Sequence, residues 1–93
     1  MKLIYSAEAL EDLVRLRNFI AEHNPQAAAR IAQQLLQRIE HLRNFPLIGT
    51  NVVQAPVTGS VKDFVFGSYI VRYAVQPDSL CILRIWHYLE NKE

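Results

Sequence analysis

Cysteine, glycine and histidine are all scarce in this sequence. With one cysteine in 93 residues, Cys81, no internal disulfide is available. Cys81 sits in an apolar run and reads as a small buried hydrophobe, a usage that fits the reducing cytoplasm. The histidines, His23, His41 and His87, lie far apart in the chain, so no metal-ligand spacing exists and neither metal nor cofactor is expected. Charge of one sign is lacking too: the formal net charge is +1, against a module that wraps nucleic acid electrostatically. No apolar run approaches the ~20 residues of a membrane span. The start resembles no signal peptide, because Met1-Lys2 is soon followed by Glu8, Glu11 and Asp12. No internal repeat or low-complexity segment is present.

Apolar residues are plentiful. A hydrophobic fraction of 51% supports a real core, and the length predicts one domain over residues 1–93. A domain this small buries only roughly 60–65% of its unfolded surface, so a partner covering apolar area would matter for stability.

"KLIYS" reads as a short strand. Ser6 then offers a helix N-cap, with Glu8, Glu11 and Asp12 favoured near the positive end of the helix dipole. Leu10, Leu13, Leu16 and Ile20 recur at helical spacing and predict a helix from about Ala7 to Glu22. Asn24 and Pro25 suit the N-cap and first position of a second helix, reaching about Arg43. Its apolar seam is Ala28, Ala32, Leu35, Ile39 and Leu42, and the short break makes an αα-hairpin. Pro46 to Ser60 reads as a loop with a short extended piece near Asn51–Gln54. "VKDFVF", "YIVRYAV" and "LCILRIWH" read as strands joined by turns at Gly67-Ser68 and Pro77-Asp78, and "ENKE" as a polar tail. The expected fold is α+β: an N-terminal strand, the αα-hairpin, then a three-stranded antiparallel meander with the helices on one face. Large apolar residues fall on both faces of the last two strands, which points to a partner on the second face.

The ordered set of these pieces resembles the ParE/RelE superfamily of type II toxins. The pieces are "KLIYSAEALEDL", the helix pair with its Asn-Pro hinge, "FPLIG", "VKDFVFGSYIVRYAV" and "ILRIWHYLE". The resemblance implies a toxin neutralised by a cognate antitoxin, in a hetero-oligomer that reaches operator DNA only through the antitoxin, with no membrane role. Two activities occur in the superfamily. RelE-like members cut mRNA on the ribosome without a metal; ParE-like members inhibit DNA gyrase. Many nucleases carry an arginine directly after the hairpin tyrosine, but here Tyr69 is followed by Ile70. Lys62-Asp63 and the "ILRIWH" ending match the ParE-like pattern better, so the ParE-like branch and a non-enzymatic inhibitor of gyrase are expected. The nuclease alternative would draw on Lys62, Arg72, Arg84, His87 or Tyr88, and a degenerate member would bind only its antitoxin.

Strict strand alternation puts Cys81, Leu83, Ile85 and His87 on one face and Ile82, Arg84, Trp86 and Tyr88 on the other. The expected target or antitoxin contacts are therefore Ile70, Ile82, Arg84, Trp86 and Tyr88. Arg84 is open to a phosphate, a partner carboxylate, or an internal acid such as Asp63.

Overall fold

The computed structural model describes residues 1–57 and 59–90. The chain forms β1 (Lys2–Tyr5), α1 (Ala7–His23), α2 (Ala28–Leu42), β2 (Thr50–Asn51), β3 (Val61–Phe66), β4 (Tyr69–Val75) and β5 (Ser79–His87). The strands make one five-stranded sheet in the order β1-β5-β4-β3-β2. The expected meander is its centre. β1 adds to it in parallel, with Lys2 opposite Ser79 and Tyr5 opposite Ile82. β2 covers part of the far edge, opposite Lys62 and Asp63, and is shorter than the expected extended piece. Thr58 and the end of the expected polar tail, 91–93, lie outside the described residues.

Local chemistry explains the helix ends. Ser6 caps α1, its hydroxyl accepting from Ala9 N–H at 3.0 Å. Asn24 is not the N-cap of α2. It closes α1 instead, its N–H reaching Ile20 O at 2.7 Å. Residues Pro25 to Ala27 make a turn, and α2 begins at Ala28 without a side-chain cap. The Asn-Pro pair thus marks the hinge correctly but serves the helix before it. Gly67 takes φ +57° in the two-residue β3–β4 loop, a conformation that favours glycine.

The helices pack on one face of the sheet around Leu16, Ile20, Leu35, Ile39, Leu42, Val71, Tyr73, Leu80, Ile82 and Ile85. The α2 seam is as expected, although Ala32 is only half-buried. The phase of α1 is not. Leu10 is 53% exposed, and the buried stripe runs through Ala9, Asp12, Leu16 and Ile20. A carboxylate therefore occupies the core position.

Its partners explain why. β4 and β5 slip register between Arg72 and Tyr73: Arg72 pairs with Arg84 but Tyr73 with Ile82, leaving Leu83 as the extra residue of a β-bulge. The bulge lies where β1 has ended, so β5 there has a free edge whose backbone groups need partners. Side chains from α1 and its cap supply several of them. Ser6 Oγ donates to Leu83 O at 2.8 Å, Asp12 Oδ2 accepts from Ile85 N–H at 2.8 Å, and Arg15 Nη2 donates to Ile85 O at 2.9 Å. Asp12 also accepts from Arg84, Nε at 2.8 Å and Nη2 at 3.1 Å, and from Arg15 Nη1. Burial alone would raise the Asp12 carboxyl. The Arg84 and Arg15 hydrogen bonds and the Ile85 N–H overcome it and bring the pKa down to about 2.

Tyr73 does similar work across the sheet. Its buried hydroxyl donates to Pro46 O at 2.8 Å and accepts from Gly49 N–H at 3.0 Å, tying the loop after α2 to β4. Gly49 allows this approach, since a Cβ there would sit 2.6 Å from that hydroxyl.

Two outcomes follow. Tyr73→Phe should cost about 1–2 kcal/mol in denaturant unfolding, because it leaves two loop groups without a partner. Asp12→Asn should cost about 3 kcal/mol at neutral pH, because it leaves Arg84 beside a neutral amide and removes one of the two carboxylates that hold Arg15. Because the folded Asp12 pKa lies below its ordinary 3.8, this contribution is complete above that value and fades as pH falls toward about 2. Unfolding curves of wild type and Asp12→Asn should thus converge over that acid range.

Candidate functional site

The sheet face turned away from the helices carries residues in rows set by strand register. One row is Ile4, Cys81, Ala74 and Val61, with Cys81 half-buried rather than in the core. The middle row brings Arg84, Arg72 and Asp63 together across the strands. The last row is Trp86, Ile70 and Val65. Arg72 organises this face. It makes a two-pronged bond to Asp63, Nε to Oδ1 at 2.8 Å and Nη2 to Oδ2 at 3.0 Å, and its guanidinium lies 5.2 Å from the Trp86 ring centroid. The Asp63 bond raises the Arg72 pKa further above its ordinary value. A planar cation fixed between a carboxylate and an indole makes a rigid, half-exposed platform.

The expected contact residues divide. Ile70 and Trp86 are cross-strand partners on this outer face, and both are half-buried. Ile82 is 0% exposed and lies in the core beneath the helices, so it is no surface contact. The bulge at Leu83 is the cause. It shifts the alternation by one residue, so that Leu80, Ile82 and, past the slip, Ile85 all face the helices. Arg84 leaves the outer face for the free edge of β5 and pairs with Asp12, not Asp63. Tyr88 lies beyond β5 with 62% of its surface exposed, and its ring stacks on His87 at 5.1 Å.

The residues considered for nuclease chemistry are dispersed. Lys62 Nζ donates to Asn51 Oδ1 at 2.6 Å near the β2 edge. Arg72 is held on the outer face, and Arg84 at the β5 edge. His87 is opposite Tyr69 on the helix side, 5.0 Å from that ring and 5.1 Å from Phe19. Its Nδ1 accepts from Leu89 N–H at 3.1 Å, which puts the ring proton of the neutral form on Nε2. Phe19, His23, Tyr69, His87 and Leu89 line a shallow recess of about 240 Å³ at this end. Among the described residues no group of three or more His, Cys, Asp or Glu is placed to hold a metal ion.

Two features escaped the sequence reading. Asp12 and Arg15 form an ion-pair network with Arg84 and Glu90. Asp12 was visible in principle, since it falls in line with Ala9, Leu16 and Ile20. The outer surface between the helices is an open apolar groove of about 420 Å³, lined by Leu13, Val14, Ala29, Ala32 and Leu36 among others. Its signal was the alanine run at 27–29 together with Val14 and Leu36 on the outward side. Among the described residues no helix is long and apolar enough to cross a membrane.

Known proteins are similar to this chain in sequence and in fold. Residues 3–91 match the family described as "ParE toxin of type II toxin-antitoxin system, parDE". Toxin RelE1 of Caulobacter vibrioides is 32% identical over 91 residues, covering 97% of this chain and 96% of that protein. Toxin RelE3 of the same organism is 32% identical over 84 residues, covering 90% of each. A chain from the structure titled "Chromosomal ParDE TA system from P. aeruginosa" superposes with a TM-score of 0.78 at 19% identity, over 94% of this chain and 95% of that one, and so shares the fold. The family match spans nearly the whole described chain, and this protein belongs to the ParE toxin family of type II toxin–antitoxin systems.

Proposed function

We propose that this toxin acts by binding DNA gyrase rather than by cutting RNA, and that a cognate antitoxin neutralises it in the cytoplasm. The observation that carries the reading is the dispersal of the basic and titratable side chains. Metal-free RNA cleavage needs a base, a phosphate-binding cation and an acid around one scissile bond. Here Arg72 and Arg84 stand opposite each other in register but turn their side chains to different partners, His87 lies on the helix side, and the three cations Lys62, Arg72 and Arg84 are already committed to Asn51, Asp63 and Asp12. What remains is a surface built for contact. Trp86, Ile70 and Val65 flank a fixed arginine, and such aromatic–arginine clusters commonly dominate binding energy.

The helix groove supports the antitoxin part of the reading. Its exposed Val14 and Leu36 suit the apolar face of a segment that folds as it binds. With a net charge of +1, the toxin itself contributes little to operator binding, which falls to the antitoxin.

Expression without antitoxin should stop growth and lower gyrase-driven supercoiling of a reporter plasmid while leaving messages intact. Trp86→Ala should bind purified gyrase at least about tenfold more weakly, with little change in melting temperature. Ribosome-bound message that is cut by wild type and spared by His87→Ala would overturn the proposal.

A further inference from the structure

Chain segments beyond the last strand of a domain ordinarily fray unless something ties them down. Residues Tyr88 to Glu90 are tied down from several directions. Tyr88 N–H donates to Ser68 O at 2.8 Å, and Glu90 N–H to His87 O at 2.9 Å. Leu89 N–H donates to His87 Nδ1 at 3.1 Å. The Glu90 carboxylate is the anchor: it accepts from Arg15 Nε at 2.8 Å, from Arg15 Nη2 at 3.1 Å and from His87 N–H at 3.0 Å. Its side chain is only 12% exposed. Fork-shaped arginine–carboxylate pairs fix orientation as well as adding energy.

This ordering leaves two large apolar side chains in the open. Tyr88 is 62% exposed and Leu89 66% exposed. Fixing a turn only to hold a tyrosine and a leucine in water gains little for the fold, whereas a pre-ordered contact binds with less entropy lost. The turn also sits at the end of the sheet where its two faces meet. Tyr88 N–H is bonded to Ser68 in the β3–β4 loop, two residues from Ile70 of the outer row, while Leu89 borders the recess that Phe19, His23, Tyr69 and His87 line on the helix side.

We propose that Glu90 is a positioning residue: clamped by Arg15, it presents Tyr88 and Leu89 at the end of the sheet, continuing round the β3–β4 loop the surface that docks the toxin's target. The inference rests on the reading of the outer face as the docking surface for gyrase. Glu90 itself touches no target in this scheme and acts through the two residues before it.

A mutant cycle in the full chain tests this. Glu90→Lys puts a cation against Arg15 and opens the clamp, while Glu90→Gln keeps the oxygen that accepts from Arg15 and His87. Each is made in wild type and in the Tyr88→Ala/Leu89→Ala background. Growth inhibition, gyrase binding and melting temperature are read for all. Glu90→Lys should weaken growth inhibition and gyrase binding about tenfold, Glu90→Gln by less than about threefold, and neither should weaken them further once Tyr88 and Leu89 are gone. Glu90→Lys losing the same factor in both backgrounds, in step with its melting temperature, would show a structural role and overturn the proposal, as would full toxicity of Glu90→Lys. Wild type that stops growth without touching gyrase removes the gyrase reading, while the growth cycle still judges the clamp. Wild type without any effect on growth removes both.

Discussion

A single buried carboxylate sets the geometry of this protein. Asp12 is 1% exposed, and it meets two arginines and the Ile85 backbone N–H. An isolated charge in that position would be prohibitive, and a lone arginine at the bulge would leave the β5 edge unsatisfied. Together they resolve each other's cost. The carboxylate fixes the rotation of α1 about its axis, which is why Ala9 rather than Leu10 reaches the core. It also holds the bulge open at Leu83, and so decides which residues of β5 face the helices. Through Arg15 the same cluster reaches Glu90 and the turn after β5. Helix phase, strand register and the chain beyond the last strand are therefore coupled through one network of polar contacts.

Much of the fold was legible because its signals are local. Ser6 caps α1 as its position implies. The α2 seam predicted from Leu35, Ile39 and Leu42 is the buried one, and Gly67-Ser68 is the hairpin turn. The misreadings share a different cause. The bulge is a single-residue slip with no composition of its own, and alternation carried past it moves Ile82 from core to surface. β1 joins the sheet through a parallel pairing with residues 77 positions away, as Lys2 opposite Ser79 shows, and nothing in either segment announces the other. Asn24 looks like a cap for the helix after it because the Pro25 that follows is shared by both possibilities.

The expected docking set was legible only in part for the same reason. Ile70 and Trp86 lie on strands whose register is regular there, and they remain neighbours. Arg84 sits at the slip itself and turns to the sheet's edge, while Arg72, expected only in the nuclease alternative, takes the central place beside Trp86. The groove between the helices belongs to a different side of the molecule from this sheet face. The proposed function gives antitoxin and target separate surfaces, so neutralisation need not be direct competition for one patch.

The parallel pairing of β1 with β5 has a bearing on biosynthesis. During translation β1, α1 and α2 are made well before β5, the strand that β1 pairs with and that α1 packs against. Until residues 79–87 emerge, only the β3–β4 hairpin is available, and the apolar stripes of both helices lack the Leu80, Ile82 and Ile85 part of their cover. Non-local closure of this kind is slow, and it keeps sticky surface accessible in the nascent chain. The helices of this chain thus stay open to contact for longer than the residues of its central meander, whose partners lie close by in the sequence.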